Sequence, residues 1–206
     1  MSTAIVDYGV GNLGSIVSMH RRLGIDAELV SDPDELARHA RFILPGVGAF
    51  DDAVDRLDAS GMRPALEELV IQERRPLLGI CLGMELLADS SEEGERRGLG
   101  WVPGRVRSMR GSLPAQFRLP FMGWGFVTPT QEHPLLPPTD EPQRFYFAHS
   151  YAFETTADFL LGTVDYGIEI AAVVGHHNVL GTQFHPEKSH RFGMALLRSF
   201  DAFEVS

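Results

Sequence analysis

"RPLLGICLGMELLADS", residues 75–90, decides how this chain folds. An apolar run ends at Cys81, the only cysteine, with Gly79 and Gly83 placed two positions to either side. A buried strand that turns sharply into a helix needs such glycines, because side chains beside the bend would collide with neighbouring backbone. G-I-C-L-G therefore predicts a nucleophile elbow at the carboxyl end of a parallel strand. A helix over 84–88 would then aim its positive end at Cys81 and favour the thiolate. The plain alternative is a buried cysteine packed as a small hydrophobe.

Upstream of the elbow, near-continuous apolar runs alternate with helical spacing. TAIVD (3–7) reads as strand one and 13–23 as a helix closed by Gly24. IDAELV is strand two, Ser31 or Asp32 caps a short helix with Pro33 in its first turn, and RFILP (41–45) is strand three. Residues 49–75 hold two helical segments broken near Gly61, and PLLGI is strand four. This rhythm predicts a parallel sheet covered on both faces, with chemistry at the carboxyl ends of its strands. After Leu99 come shorter runs, GRVRSMR, FMGWGFV, RFYFAHS, FLLGTVD, EIAAVVG and VLGTQF, which read as a mostly antiparallel extension. HPLLPPTDEPQ (133–143) reads as a surface loop. A last helix, 191–203, carries an apolar stripe of Phe192, Ala195, Leu196, Ser199 and Phe203.

The 206 residues, 44% hydrophobic and 22% charged, suit one α/β domain spanning 1–206. A net charge of −10 disfavours nucleic acid as a partner. The lone cysteine excludes an internal disulfide and is compatible with a reducing cytoplasm. No apolar run of about 18 residues suits a membrane span, and the N-terminus lacks a leader pattern, so a soluble cytoplasmic chain is expected.

A reactive thiol needs a base and a group to orient that base. "GTQFHPEKSH" supplies His185 and Glu187 at the end of an apolar strand, and in extended backbone residues two apart share a side. Pro186 biases His185 to that extended form. Acyl transfer also needs donors for an oxyanion. Leu82 N–H follows the nucleophile, and "LPGVGAF" after strand three, with Gly46 and Gly48, is the natural second source. His149, ending a strand, is a candidate for a pocket or interface, whereas His20, His39, His176, His177 and His190 read as solvent-exposed. No spacing matches a metal cage, so neither metal nor cofactor is expected. "DYGVGNLGS" competes as a dinucleotide fingerprint through Gly9, Gly11 and Gly14 with Asp32 beyond, but Tyr8 intrudes before the first glycine and no hydride-transfer site follows.

Together "DYGVGNLGS", "LPGVGAF", "GICLGM", "SEEG", "GLGW", "FMGW", "FYFAHSY" and "QFHPEKS" resemble the class I, triad-type glutamine amidotransferases, and within them the HisH-type glutaminase subunits of imidazole glycerol phosphate synthase. The resemblance covers nearly the whole chain and implies a flavodoxin-like α/β fold with a central mixed sheet. It implies that Cys81, His185 and Glu187 release ammonia from glutamine through a γ-glutamyl thioester, with Val47 and Leu82 carrying the oxyanion-hole N–H groups. It also implies substrate contacts at Gly46, Gly48, Glu85, His149, Ser150 and Tyr151. Ammonia would pass to a (β/α)₈-barrel cyclase of the HisF type, bound as a heterodimer and touched by Asn12 and Trp124. Weak activity alone, rising in the complex, is the further implication.

Some positions depart from that pattern. Where the family reads C-L-G-M-Q, this chain has Glu85, whose charge near a thiolate raises the cysteine pKa. Where it reads P-H-M-G-W-N, this chain has Phe121 and Gly125. "EKSHRFGM" is closer to paralogues that feed ammonia to sugar amidotransferases in surface-polysaccharide synthesis. Two further readings therefore stand beside the histidine-pathway glutaminase: that paralogous role, and a subunit that has lost turnover and persists as an interaction module.

Overall fold

A computed structural model describes residues 2–205. β1 (Thr3–Val6), α1 (Leu13–Leu23), β2 (Ala27–Val30), β3 (Arg41–Gly46), α2 (Phe50–Ala59), α3 (Met62–Leu66), β4 (Leu77–Cys81) and α4 (Leu82–Glu85) make up the first half. The second half contains β5 (Ser90–Ser91), β6 (Arg105–Ser108), β7 (Phe121–Pro129), β8 (Gln143–His149), β9 (Tyr151–Glu154), β10 (Leu160–Asp165), β11 (Glu169–His176), β12 (Val179–Thr182) and α5 (His190–Asp201).

The main sheet has the order β2-β1-β3-β4-β12-β11-β10-β7-β8. Its β2-to-β12 half is parallel and the remainder antiparallel. β12 joins β4 in parallel, with Thr182 opposite Ile80, and so brings the end of a late strand beside the elbow. Period-two alternation sorts the parallel strands between two cores. Ala4, Phe42, Leu44 and Leu77 face α2 and α3 through Phe50, Leu57 and Leu66. Ile5, Ile43, Leu78 and Ile80 face α1 and α5 through Ile16, Leu196 and Phe200. Each of these Ile, Leu and Phe side chains contributes ~1.5–3 kcal/mol by leaving water.

Local signals act where expected. Gly24 closes α1 in the left-handed conformation (φ 70°), and Gly61 (φ 74°) separates α2 from α3. Between Ser31 and Asp32, the cap is Asp32, which accepts from Asp34 N–H at 3.0 Å.

Other expectations are corrected. GRVRSMR does not join the main sheet. Its β6 pairs with β5 and with β9, a strand not foreseen, in a separate three-stranded sheet. Of the expected stripe, Leu196 and Phe203 are buried and Phe192 packs half-buried on the core, but Ala195 is exposed; Gly193, Leu197 and Phe200 complete the buried face. The proline-rich segment is not wholly a surface loop, since Leu135 and Leu136 are buried. His20 and His39 are buried too: His20 Nδ1 bonds Ile16 O (2.8 Å), and His39 Nδ1 bonds Ser2 Oγ (2.9 Å).

Candidate active site

Cys81 ends β4 with φ 55° and ψ −114°, a conformation that costs a non-glycine residue about 1–3 kcal/mol and persists only where the surroundings impose it. The glycines permit it. A Cβ on Gly79 would lie 2.7 Å from Gly83 C, and one on Gly83 would overlap the Leu44 carbonyl oxygen. The helix after the bend is the single turn α4, not the expected 84–88. The carbonyls of Leu86, Leu87 and Ala88 instead accept from Leu99, Trp101 and Gly100 N–H, so the helix cannot continue. Burial, and then the charge of Glu85, push the Cys81 thiol well above its ordinary range, while Leu82 N–H pulls it down. Against the expected resting thiolate, Cys81 rests as a thiol: one helical turn does not offset the desolvation of a buried sulfur.

His185 follows β12, the parallel neighbour of β4. Its Nδ1–H donates to Glu187 Oε1 at 2.8 Å, and both side chains are almost fully buried. His185 is extended, as Pro186 requires, but residues 186–188 form a 3₁₀ turn, so the turn and not a continuing strand swings Glu187 under the ring. Ser189 locks this turn: its Oγ donates to His185 O (2.6 Å) and accepts from Tyr146 N–H (3.0 Å).

Cys81 and His185 both line a cavity of about 380 Å³, within the range of small-molecule sites. Val47, Gly48 and Leu82 form part of its wall, as do Glu85 and the segment His149, Ser150 and Tyr151. Gly46 is not in the lining; it stands opposite Cys81 in the β3–β4 ladder and packs against Leu82 and Gly83. Glu85 is buried, accepts from Gln183 Nε2 at 2.8 Å, and has its carboxyl pushed up to about 8 by burial. His149 Nδ1–H donates to Tyr151 O (2.6 Å), and burial holds its pKa down at about 4, so the ring is neutral. Glu93 and Lys188 also line the cavity and were not singled out in the sequence. Glu93 sits in the "SEEG" motif and reaches the site because its Oε2 accepts from Phe50 N–H (2.8 Å) at the start of α2. Lys188 directly follows Glu187.

Asn12 and Trp124 lie outside this cavity. Asn12 lines a second one, of about 680 Å³, with Glu187, Lys188, His190 and Arg191. Trp124 is 41% exposed and stacks on His190 (5.6 Å between ring centres). Met122 and Phe126, on the same face of β7, are 64% and 61% exposed. The glycine loop beside Asn12 braces the elbow's neighbour: Tyr8 O–H donates to Pro45 O (2.6 Å), and a Cβ on Gly11 would lie 3.0 Å from Pro45 Cβ.

A thiol, an imidazole held by a carboxylate, and backbone at a strand-to-helix bend are the parts of an acyl-transfer site. Known proteins are similar to this chain in sequence or in fold. The imidazole glycerol phosphate synthase subunit HisH of Bdellovibrio bacteriovorus is 49% identical over 199 residues, covering 95% of this chain and 97% of that protein. Subunit HisH 2 of Pseudomonas aeruginosa is 42% identical over 197 residues, covering 95% and 96%. A solved glutamine amidotransferase superposes with a TM-score of 0.75 at 20% identity over 96% of each chain. The structure of PurLQS from Thermotoga maritima superposes at 0.74 and 18%, covering 97% of this chain and 96% of that one; both share the fold. The model of the glutamine amidotransferase class-I family matches residues 4–202, and the chain belongs to that family.

Proposed function

We propose that this chain is the glutaminase subunit of an imidazole glycerol phosphate synthase, acting as one catalytic unit over residues 1–206 in the cytoplasm and needing no cofactor. The observation that carries the chemistry is the shared cavity of Cys81 and His185, with Glu187 at 2.8 Å from the imidazole. The pathway rests on the relatives named as HisH subunits, matched over nearly their full length.

In this reading His185 Nε2 takes the thiol proton as Cys81 Sγ attacks the side-chain amide carbon of glutamine. Proton removal at the moment of attack suits a sulfur that burial keeps as a thiol. Leu82 and Val47 N–H groups receive the oxyanion. His185 then returns the proton to the departing nitrogen, releasing ammonia and leaving a γ-glutamyl thioester. Water, activated by the same imidazole, cleaves the thioester to glutamate and restores the thiol. Glu187 holds the Nδ1–H tautomer, so that Nε2 is free to accept the proton. Glutamine is held by the wall of Gly48, Glu85, His149, Ser150 and Tyr151, with Gly46 supporting it from behind.

Ammonia would pass to a (β/α)₈-barrel cyclase of the HisF type, docked as a heterodimer on the face of Asn12 and Trp124. Exposed aromatic and methionine side chains on one strand face are the composition of an interface core. The test supplies the chain with the cyclase and either glutamine or ammonium. Cys81→Ala is expected to abolish glutamine-dependent synthesis of imidazole glycerol phosphate and leave ammonium-dependent synthesis intact. Loss of both contradicts the reading, as does glutamate release that supports only sugar amidation.

A further inference from the structure

Cys81 directly precedes the one-turn helix α4, Glu85 ends it, and both residues line the same cavity. Glu85 is enclosed, and its one hydrogen bond comes from the neutral amide of Gln183. The charged group acting on it, Glu93, is itself acidic. A carboxylate at Glu85 and a thiolate at Cys81 would put two negative charges on largely buried side chains of one cavity, where repulsion is strong and the two titrations are coupled.

We propose that Glu85 is a proton-linked gate on Cys81: its neutral carboxyl lets the sulfur give up its proton, and its carboxylate holds the sulfur as a thiol. This rests on the reading of Cys81 as nucleophile. Glu85 also lines the proposed glutamine site, so its effect on the sulfur is read from alkylation of the chain with no substrate bound. Its carboxyl, pushed up to about 8, occupies both states within the ordinary assay range. The strand-three loop brings Val47 and Gly48 to the cavity, without charge. Glu93 arrives from the segment after β5, His149 and Tyr151 from β8 and β9, and His185 and Lys188 from the connection between β12 and α5, with Glu187 hydrogen-bonded to His185. His149 is neutral throughout this range. All of these groups remain in a Glu85→Gln variant, so a comparison with it isolates the gate.

The experiment measures carbamidomethylation of Cys81 by iodoacetamide, read by mass spectrometry from pH 6 to 10, for the parent and Glu85→Gln chains. Glutamate release by each in complex with the cyclase is followed across the same range. Below pH 7 the two alkylation rates should agree. Toward pH 9.5 the variant should become about tenfold faster or more, as a one-unit drop in thiol pKa requires. Its kcat for glutamate release should diverge from the parent over the same interval. A rate ratio that is constant with pH overturns the gate. Gln183→Met, which removes the amide favouring the carboxylate, should move the bend in the parent's alkylation profile to higher pH; an unmoved bend also overturns it. The two readings fail separately. Absent glutamate release with a pH-dependent alkylation ratio sinks only the glutaminase, and intact release with a constant ratio sinks only the gate.

Discussion

Gly46 lies directly opposite Cys81 in the parallel ladder of β3 and β4, and a Cβ built on Gly46 would stand 2.7 Å from Gly83 N and 2.8 Å from Leu82 Cβ. The strand-three glycine is therefore the floor on which the elbow sits. Gly46→Ala should destabilise the chain by roughly 1–3 kcal/mol, because the atoms in its way belong chiefly to backbone that cannot move aside. The elbow should shift as well, so glutamate release should fall further than the loss of folded protein explains. Urea unfolding together with an assay corrected for folded fraction would show this; a variant with parental stability and rate would refute it.

Glu187 fixes which nitrogen of His185 carries the proton. Glu187→Gln keeps the shape but offers an amide that can hold the wrong tautomer, and comparable changes lower kcat by about 10⁴-fold. A fall in kcat of at least about 10³-fold, with KM little changed and an unaltered circular dichroism spectrum, is expected. A tenfold effect or less would show that the 2.8 Å contact does not set the imidazole's state.

Glu85 also makes stability depend on pH. Its carboxyl titrates near 8 when folded and near 4.5 when unfolded, so between those values the native state binds more protons than the unfolded one. Stability contributed by this group is complete below pH 4.5 and declines as pH rises to 8. The cost at full ionisation is on the order of 5 kcal/mol as an upper bound. Glu85→Gln should raise the melting temperature at pH 8, with a gain that shrinks toward pH 5. A gain independent of pH would contradict this.

His149 acts with the opposite sign. Burial lowers its pKa from 6.5 to about 4, so between these values the unfolded state binds the extra proton. Stability therefore falls as the solution is acidified from pH 6.5 to 4, by up to about 3 kcal/mol from this ring. In His149→Gln that part of the slope should vanish. Denaturant midpoints of the two proteins that fall in parallel from pH 7 to 4.5 would rule it out.

Trp124 is 41% exposed, stacks on His190 and lies on the proposed docking face, so Trp124→Ala should lower the melting temperature by no more than about 4 °C, the shift that about 1 kcal/mol produces in a chain of this size. Its affinity for the cyclase should fall by ten-fold or more, as loss of an aromatic interface anchor does. Calorimetric titration that finds the parental Kd would move the interface elsewhere.

The elbow was legible in the sequence because its cause is local: Gly79 and Gly83 are required wherever a strand bends this tightly onto a helix. The same holds for the parallel strands, each a short apolar run, and for Gly24 and Gly61 as punctuation. The buried state of His20 and His39 was not legible, since helical and turn contexts do not record which neighbours close over a side chain. Nor was the thiol form of Cys81: its glycine frame is visible in five letters, but the enclosure that raises its pKa is built by segments distant in the chain.

From the order of its residues alone, the chain declares a bend, a sulfur on it, and an imidazole–carboxylate pair near its far end. Only the tertiary structure joins them, by inserting β12 beside β4 and turning 186–188 into a 3₁₀ turn. It also sets Glu93 and Lys188 in the cavity, detaches β5, β6 and β9 into their own sheet, and stops α4 after one turn. The division has a physical reason. Bends and caps are settled by sterics within a few residues, whereas strand order, burial and the charge state of enclosed groups depend on long-range packing that no local stretch encodes.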